Sequence, residues 1–123
     1  MLKKAKKLYE KYKKTKITAE ELKKAGKLKD NLGKVASKFG LLIRMLKADK
    51  RGEFKIPTMD KVKIIGAVIY VISTIDAMPD ILPIIGFGDD IGIVAYVISK
   101  LGNLISEYEK FEVGFFNDSE KIK

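Results

Sequence analysis

The feature that most constrains the fold is a long apolar stretch, residues 62–105, that is interrupted in its middle by polar residues. The interruption, VISTIDAMPDILPIIGFGDDIG at residues 71–92, contains these prolines and aspartates: Asp76, Pro79, Asp80, Pro83, Asp89, Asp90. Charges are costly to bury in apolar surroundings, so such aspartates are expected to cap helices, pair with cations or serve a function. Two apolar arms joined by a proline-containing turn predict a central helical hairpin.

The first arm predicts a helix from Thr58, its N-cap, to about Thr74, which is apolar around nearly its whole circumference. Only a thin polar strip is expected on it, formed by Lys63, Tyr70 and Thr74. A helix of this kind belongs either in the centre of a core or in lipid. Its uncharged part, residues 64–75, measures roughly 18 Å against a bilayer core of about 30 Å, so it is too short to span alone.

The second arm predicts a helix that begins at the pair Asp89-Asp90 and ends near Phe111. Aspartates at a helix start accept hydrogen bonds from free N–H groups, so capping is the expected role of this pair. Gly86 and Gly88 are expected to allow positive φ in the turn before it. One side of this helix carries small residues that either pack against another helix or face solvent. They are Gly92, Ala95, Ser99, Gly102 and Ser106.

Positive charge is concentrated in the first half of the chain. Residues 1–55 contain 19 of the 25 Lys and Arg residues, and the whole chain has a formal net charge of +9. Such an imbalance predicts an anionic partner, either membrane headgroups or nucleic acid. Almost all of the cations are lysines, which favours diffuse electrostatic attraction over the reading of bases by arginine.

The first segment, MLKKAKKLYEKYKK, predicts an amphipathic helix with a Leu/Tyr face. Its cationic residues are the expected contacts to an anionic surface: Lys3, Lys4, Lys6, Lys7, Lys11, Lys13 and Lys14. The helix either lies flat on anionic lipid or packs its apolar stripe on the domain. No apolar core of a signal peptide follows the lysines, so we expect membrane association from the cytoplasmic side without such a leader.

The segments between the first helix and the hairpin predict two further helices. The capping box Thr18…Glu21 opens one that ends near Gly33, and residues 34–47 form another with a narrow apolar stripe. A loop is expected at residues 48–57. The predicted fold is therefore all-α, with four or five helices bundled around the hairpin. We divide the chain into a basic region that packs on the domain, the hairpin domain and a C-terminal tail: 1–55, 56–112 and 113–123.

The polar interruption also resembles a known family signature. From Tyr70 to Asp90 the chain reads Y-x-x-S-T-I-D-x-x-P-D-x-x-P-x-x-G-x-x-D-D, which is similar to the YkvA-like domain of unknown function. The resemblance covers residues 57–106, with Thr74 in place of a usual proline and Met78 in place of a usual isoleucine. It implies a helical, membrane-associated protein without established catalytic activity. The motif positions that it singles out are Asp76, Pro79, Asp80, Pro83, Gly86, Asp89 and Asp90.

The composition restricts the chemistry that is available to the chain. The absence of cysteine and histidine excludes disulfides, thiolate metal sites and nucleophiles activated by histidine, so we expect no enzyme and no cofactor. We favour a non-enzymatic module that associates with or perturbs membranes. The alternatives are a soluble helical module that binds nucleic acid, a protein or another acidic partner through the lysine-rich half, and a divalent-cation site at the clustered aspartates.

Overall fold

The computed structural model describes residues 2–77 and 83–122, and within them the side chains of residues 5–73 and 90–114. In this part the chain forms six α-helices and a 3-10 segment between the second and third of them, and no strand. The helices are α1 (Leu2–Tyr12), α2 (Ala19–Leu28), α3 (Ala36–Lys50), α4 (Thr58–Ala77), α5 (Pro83–Lys100) and α6 (Gly102–Ile122), and the 3-10 segment is Lys29–Val35. The predicted all-α class is confirmed.

Helix α4 lies at the centre of the structure. It contacts α1, α2, α3 and α5, and every residue from Ile64 to Ile72 is buried. The all-round apolar pattern therefore places this helix in a protein core. The predicted polar strip is wrong at Tyr70, which is 3% exposed and packs edge-to-face on Tyr12 at 6.4 Å between ring centroids. Within the described residues, no helix combines the length and the apolar character that are needed to cross a membrane.

Helix α1 packs its apolar stripe against α4 and α5. Ala5 and Tyr9 are 2% and 1% exposed, while Leu8 points away from the core and is 42% exposed. Of the two interpretations of the first helix, packing on the domain is the one observed. The close approach depends on Gly66 of α4, because a Cβ there would lie 2.9 Å from Cε1 of Tyr9.

The predicted start of the second hairpin helix is wrong. Helix α5 begins at Pro83, so Asp89 and Asp90 lie beyond its first turn and do not cap it. Proline is well suited to the first helical position, because its missing N–H has no partner there in any case. Gly86 and Gly88 also belong to α5 rather than to a turn. Residues 78–82, between the two hairpin helices, lie outside the described part of the chain.

The helix that was predicted to continue to Phe111 is divided in two. Helix α5 ends at Lys100 and α6 begins at Gly102, with Leu101 between them. The N–H of Leu101 donates to the carbonyls of both Val97 and Ile98, at 3.0 and 3.3 Å. Glycine is a poor helix former, and Gly102 lies directly at this break. Helix α6 continues to Ile122, through most of the predicted tail.

Helices α5 and α6 are amphipathic, with one face buried in the core and the other exposed to solvent. The large apolar residues of one face are buried: Val94, Val97, Leu101, Leu104, Ile105 and Tyr108. Most of the small-residue stripe faces solvent, with Ala95, Ser99, Gly102 and Ser106 exposed and Gly92 half-buried. The solvent interpretation of this stripe is the one observed.

The predicted start of the second helix is confirmed, but its end is not. In the capping box the N–H of Glu21 donates to Oγ1 of Thr18 at 3.0 Å, and the N–H of Thr18 donates to Oε1 of Glu21 at 2.9 Å. Helix α2 ends at Leu28, before the 3-10 segment, which bends at Gly33 with φ 56°. Helix α3 begins two residues later than expected and extends to Lys50, so the loop is residues 51–57.

Candidate anion-binding surface

The aspartate and proline motif is described only in part. Pro79 and Asp80 lie outside the described residues, and so do the side chains of Asp76, Pro83, Gly86 and Asp89. Asp90 is described and is completely buried. Among the residues that the structure describes, no three carboxylates come together as a metal site would require. The proposed cation site at the motif thus remains a prediction.

Carboxylates in the described helices are used in ion pairs. Lys14 Nζ lies 3.0 Å from Glu21 Oε2, and Lys61 Nζ lies 3.0 Å from Asp49 Oδ2. Helices α3 and α6 are joined by Arg44, whose Nε donates to Glu112 Oε2 at 2.8 Å. The hydrogen bond from Arg44 lowers the pKa of Glu112.

The lysines predicted to contact an anionic surface have different environments. The side chains of Lys3 and Lys4 lie outside the described residues, whereas Lys6, Lys7 and Lys11 are exposed. Lys13 pairs with Glu10 at 2.8 Å, and Lys14 pairs with Glu21, so these two are partly neutralised.

Exposed Leu8 lies between two of these lysines on the outer side of α1. Lys7 precedes it in the chain, and Lys11 follows one turn later on the same side of the helix. We call Lys7, Leu8 and Lys11 the α1 basic face. An apolar side chain bordered by lysines is typical of helices that lie on a membrane surface.

Helices α1, α4 and α5 enclose a small cavity of about 160 Å³. We call it the tyrosine–lysine pocket; it is lined by Tyr9, Lys13, Lys63, Tyr96, Val97 and Lys100. Lys6 Nζ lies 4.8 Å from the ring centroid of Tyr96, and Lys100 Nζ lies 5.7 Å from the same centroid. Lys13 Nζ lies 5.0 Å from the ring centroid of Tyr9. Both rings therefore interact with lysine ammonium groups.

The two tyrosines support each other in the wall of this pocket. Their rings meet edge-to-face, with centroids 6.2 Å apart. Burial raises the pKa of Tyr9 well above its ordinary value, and the nearby Glu10 carboxylate acts in the same direction. The hydroxyl of Tyr9 is therefore protonated at neutral pH and can act as a hydrogen-bond donor.

Sequence reasoning missed this pocket because its residues are far apart in the chain. Lys63 was assigned to a polar strip of the first hairpin helix, and Tyr96 and Lys100 were not among the predicted site residues. The alternation of lysine and tyrosine in α1 was the available signal, but the partner helix could not be inferred from it.

A larger cleft of about 630 Å³ lies on the other side of the α1–α2 loop, and its lining includes Lys14, Lys50 and Lys61. Each of these ammonium groups has an acceptor within the protein. Lys14 binds Glu21, Lys61 binds Asp49, and Lys50 Nζ donates to the carbonyl of Ile17 at 2.5 Å. These three lysines are therefore engaged within the protein, whereas Lys16, which also lines the cleft, is exposed.

Comparison with known protein families gives a match to the hairpin helices. Residues 60–99 match the model of a family described as "Protein of unknown function (DUF1232)". That stretch is similar to a domain of unknown function. It covers about a third of the chain, comprising most of α4 and α5 with the whole motif from Tyr70 to Asp90. No curated protein and no solved structure matches the chain.

Proposed function

We propose that this protein is a non-enzymatic, peripheral membrane-binding module that attaches to anionic lipid through the lysines of residues 3–14. One observation supports this most directly. Helix α1 packs Ala5 and Tyr9 on the protein but leaves Leu8 exposed between Lys7 and Lys11. This arrangement suits a helix that is held by the protein on one side and by headgroups on the other.

The mode of attachment follows from where the apolar residues of α1 are placed. Because the Leu/Tyr stripe of α1 is largely buried against α4 and α5, it does not supply a large insertable face. Binding then depends on charge, with each lysine near an anionic surface contributing about 1 kcal/mol. Leu8 adds a shallow apolar contact.

The aromatic and arginine side chains favour lipid over nucleic acid. The two arginines of the chain, Arg44 and Arg51, are paired with Glu112 and Glu53. All of the described aromatic side chains are buried or half-buried. They therefore do not present a stacking platform for bases. Lysine clusters without these elements are suited to a diffuse anionic surface.

The resemblance to the YkvA-like domain supports the same proposal. Its signature, residues 70–90, lies inside the matched range 60–99, and we propose that the two describe one domain. The membrane association that the resemblance implies then applies to the hairpin helices. Anionic lipid is enriched in the cytoplasmic leaflet, which is the surface that we propose for attachment.

Reversing the charge of the α1 basic face tests the proposal. The Lys7→Glu/Lys11→Glu variant should bind vesicles of phosphatidylcholine and phosphatidylglycerol at least ~30-fold more weakly than the unmodified protein, because about 2 kcal/mol or more is lost. Sedimentation with vesicles measures the partition.

Raising the salt to about 0.5 M should release most of the unmodified protein, since screening then acts over a few Å.

The matched control carries the same change in net charge at a different place. Lys47→Glu/Lys110→Glu alters two exposed lysines of α3 and α6 and should retain most of the binding. Equal loss in both variants would show that only net charge matters and would contradict a specific role for α1. Strong, salt-insensitive binding to pure phosphatidylcholine would overturn the electrostatic mode altogether.

A further inference from the structure

We propose that the tyrosine–lysine pocket binds a phosphate monoester group, carried either by a lipid headgroup or by a soluble molecule. This goes beyond attachment to an anionic surface, because it assigns a defined site to a defined chemical group. The pocket lies between α1 and the hairpin helices α4 and α5, and its lining includes the described side chains Lys13, Lys63 and Lys100.

The lysine ammonium groups around the pocket favour the binding of an anion. Lys6 and Lys100 both lie within the roughly 6 Å range of the Tyr96 ring in which a cation is attracted to an aromatic face. Lys63 of α4 adds a further ammonium group, and so does Lys13, which follows α1 and is partly neutralised by Glu10. Among its described lining residues the pocket has no carboxylate; Glu10 pairs with Lys13. Like charges repel one another, and a bound anion offsets that repulsion.

The size of the pocket restricts the ligand to a small group. Its volume of about 160 Å³ is equivalent to roughly five water molecules at about 30 Å³ each. Pockets for drug-sized molecules start at roughly 300 Å³, so a whole nucleotide does not fit. A phosphate group with one or two waters does, and the remainder of the ligand would extend towards solvent.

The pocket differs from the larger cleft in how its lysines are used. In the cleft, Lys14, Lys50 and Lys61 are each bound by a protein oxygen atom. At the pocket, the ammonium groups of Lys6 and Lys100 lie over the ring of Tyr96, and this cation–π contact leaves their N–H groups able to donate to a bound anion. Lysine ammonium groups bind phosphate as compact point charges with several donors.

The position of the pocket is set by the rigid packing of α1 on α4. Gly66 admits the ring of Tyr9 and the stem of Lys13, whose atoms lie 2.9 Å from where its Cβ would be. Tyr9 is almost completely buried and contacts Tyr96 edge-to-face, so the pocket wall is formed before any ligand arrives. A preformed wall lowers the ordering cost of binding, which then falls mainly on the lysine side chains.

The first experiment uses a soluble probe and no membrane. Glycerol 3-phosphate, which is mostly a dianion at about pH 7.5, is titrated into the protein by calorimetry, with acetate at equal ionic strength as the probe for unspecific charge. The Lys63→Gln/Lys100→Gln variant should bind glycerol 3-phosphate at least about tenfold more weakly, because two charge-assisted hydrogen bonds are lost. The matched control Lys47→Gln/Lys110→Gln should change affinity less than about twofold, since those exposed lysines lie outside the pocket.

The second experiment distinguishes the two sources of the phosphate. Vesicles that contain phosphatidic acid, which has a phosphate monoester headgroup, are compared with phosphatidylglycerol vesicles of equal surface charge. A lipid ligand predicts a preference for phosphatidic acid that the Lys63→Gln/Lys100→Gln variant loses while it still binds phosphatidylglycerol. A soluble ligand predicts binding of glycerol 3-phosphate with no such preference.

The inference and the proposed function fail in different ways. The phosphate site is absent if the unmodified protein binds glycerol 3-phosphate no better than acetate and shows no preference for phosphatidic acid. This conclusion holds even if the protein binds phosphatidylglycerol. Equal losses in the pocket variant and in the control variant overturn the assignment to this pocket. Absence of binding to phosphatidylglycerol, with glycerol 3-phosphate still bound, rejects the membrane function alone.

Discussion

Among the single residues, Gly66 determines how closely α1 approaches the central helix. A Cβ at this position would lie 2.9 Å from both Tyr9 Cε1 and Lys13 Cγ. Overpacking of this kind costs about 1–3 kcal/mol, while replacing a helical glycine by alanine returns up to about 1 kcal/mol. We therefore expect Gly66→Ala to lower the free energy of unfolding by roughly 0.5–2 kcal/mol, as measured by denaturant titration.

Gly26 in α2 provides the matched control for Gly66. No heavy atom lies within 4 Å of its hypothetical Cβ, and Gly26 is likewise inside a helix. Gly26→Ala should raise the free energy of unfolding by up to about 1 kcal/mol through helix propensity alone. If Gly66→Ala proves as stabilising as Gly26→Ala, the close packing of α1 described above is incorrect.

At the level of the elements, the ion pair between α3 and α6 connects the N-terminal region to the last helix. Arg44 and Glu112 are partly solvated, with side chains 52% and 24% exposed, so their coupling should be about 0.5–1 kcal/mol. A double-mutant cycle with Arg44→Gln and Glu112→Gln measures that coupling free energy at pH 7. A coupling near zero would show that the contact is incidental.

The same pair should show a defined dependence on pH. The hydrogen bond that Arg44 donates to Glu112 lowers the pKa of this carboxyl group below the ordinary value of 4.5. A carboxyl group with a lowered folded-state pKa stabilises the protein at neutral pH, and this contribution is lost as the pH falls through the lowered value. The coupling should therefore persist at pH 6 and disappear in acid. Coupling that grows below pH 4.5 would contradict this assignment.

The elements differ in how far they could be predicted. The capping box at Thr18 and the apolar circumference of α4 are local patterns with one physical outcome, and both were predicted. The start of α5 was placed at Asp89 because an aspartate pair resembles a cap, although Pro83 can itself begin a helix. The break at Leu101 has little local signal, since Gly102 alone often occurs within helices.

For the whole molecule, the proposed anion-binding surface depends on tertiary packing that a sequence pattern does not contain. The basic half and its lysines could be predicted from charge alone, and so could the amphipathic face of α1. The pairing of Tyr9 with Tyr96, which assembles the pocket, joins the first helix to the fifth and has no local signature. The role of the clustered aspartates stays a prediction, because most of their side chains lie outside the described residues.

The buried tyrosines should make the folded molecule as a whole sensitive to alkali. Burial is the main cause that raises the pKa of Tyr108 to about 12, and burial also raises the pKa of Tyr9. Unfolded tyrosines titrate near pH 10, so above that value the unfolded state releases protons that the folded state retains. The stabilising contribution is complete below pH 10 and is lost as the pH rises through the folded-state pKa.

Between about pH 8 and pH 11 the free energy of unfolding should fall by up to about 2 kcal/mol from these two residues. Denaturant titrations across this range should show a shallower decline for Tyr108→Phe than for the unmodified protein, and parallel declines would exclude Tyr108 as a source of the effect.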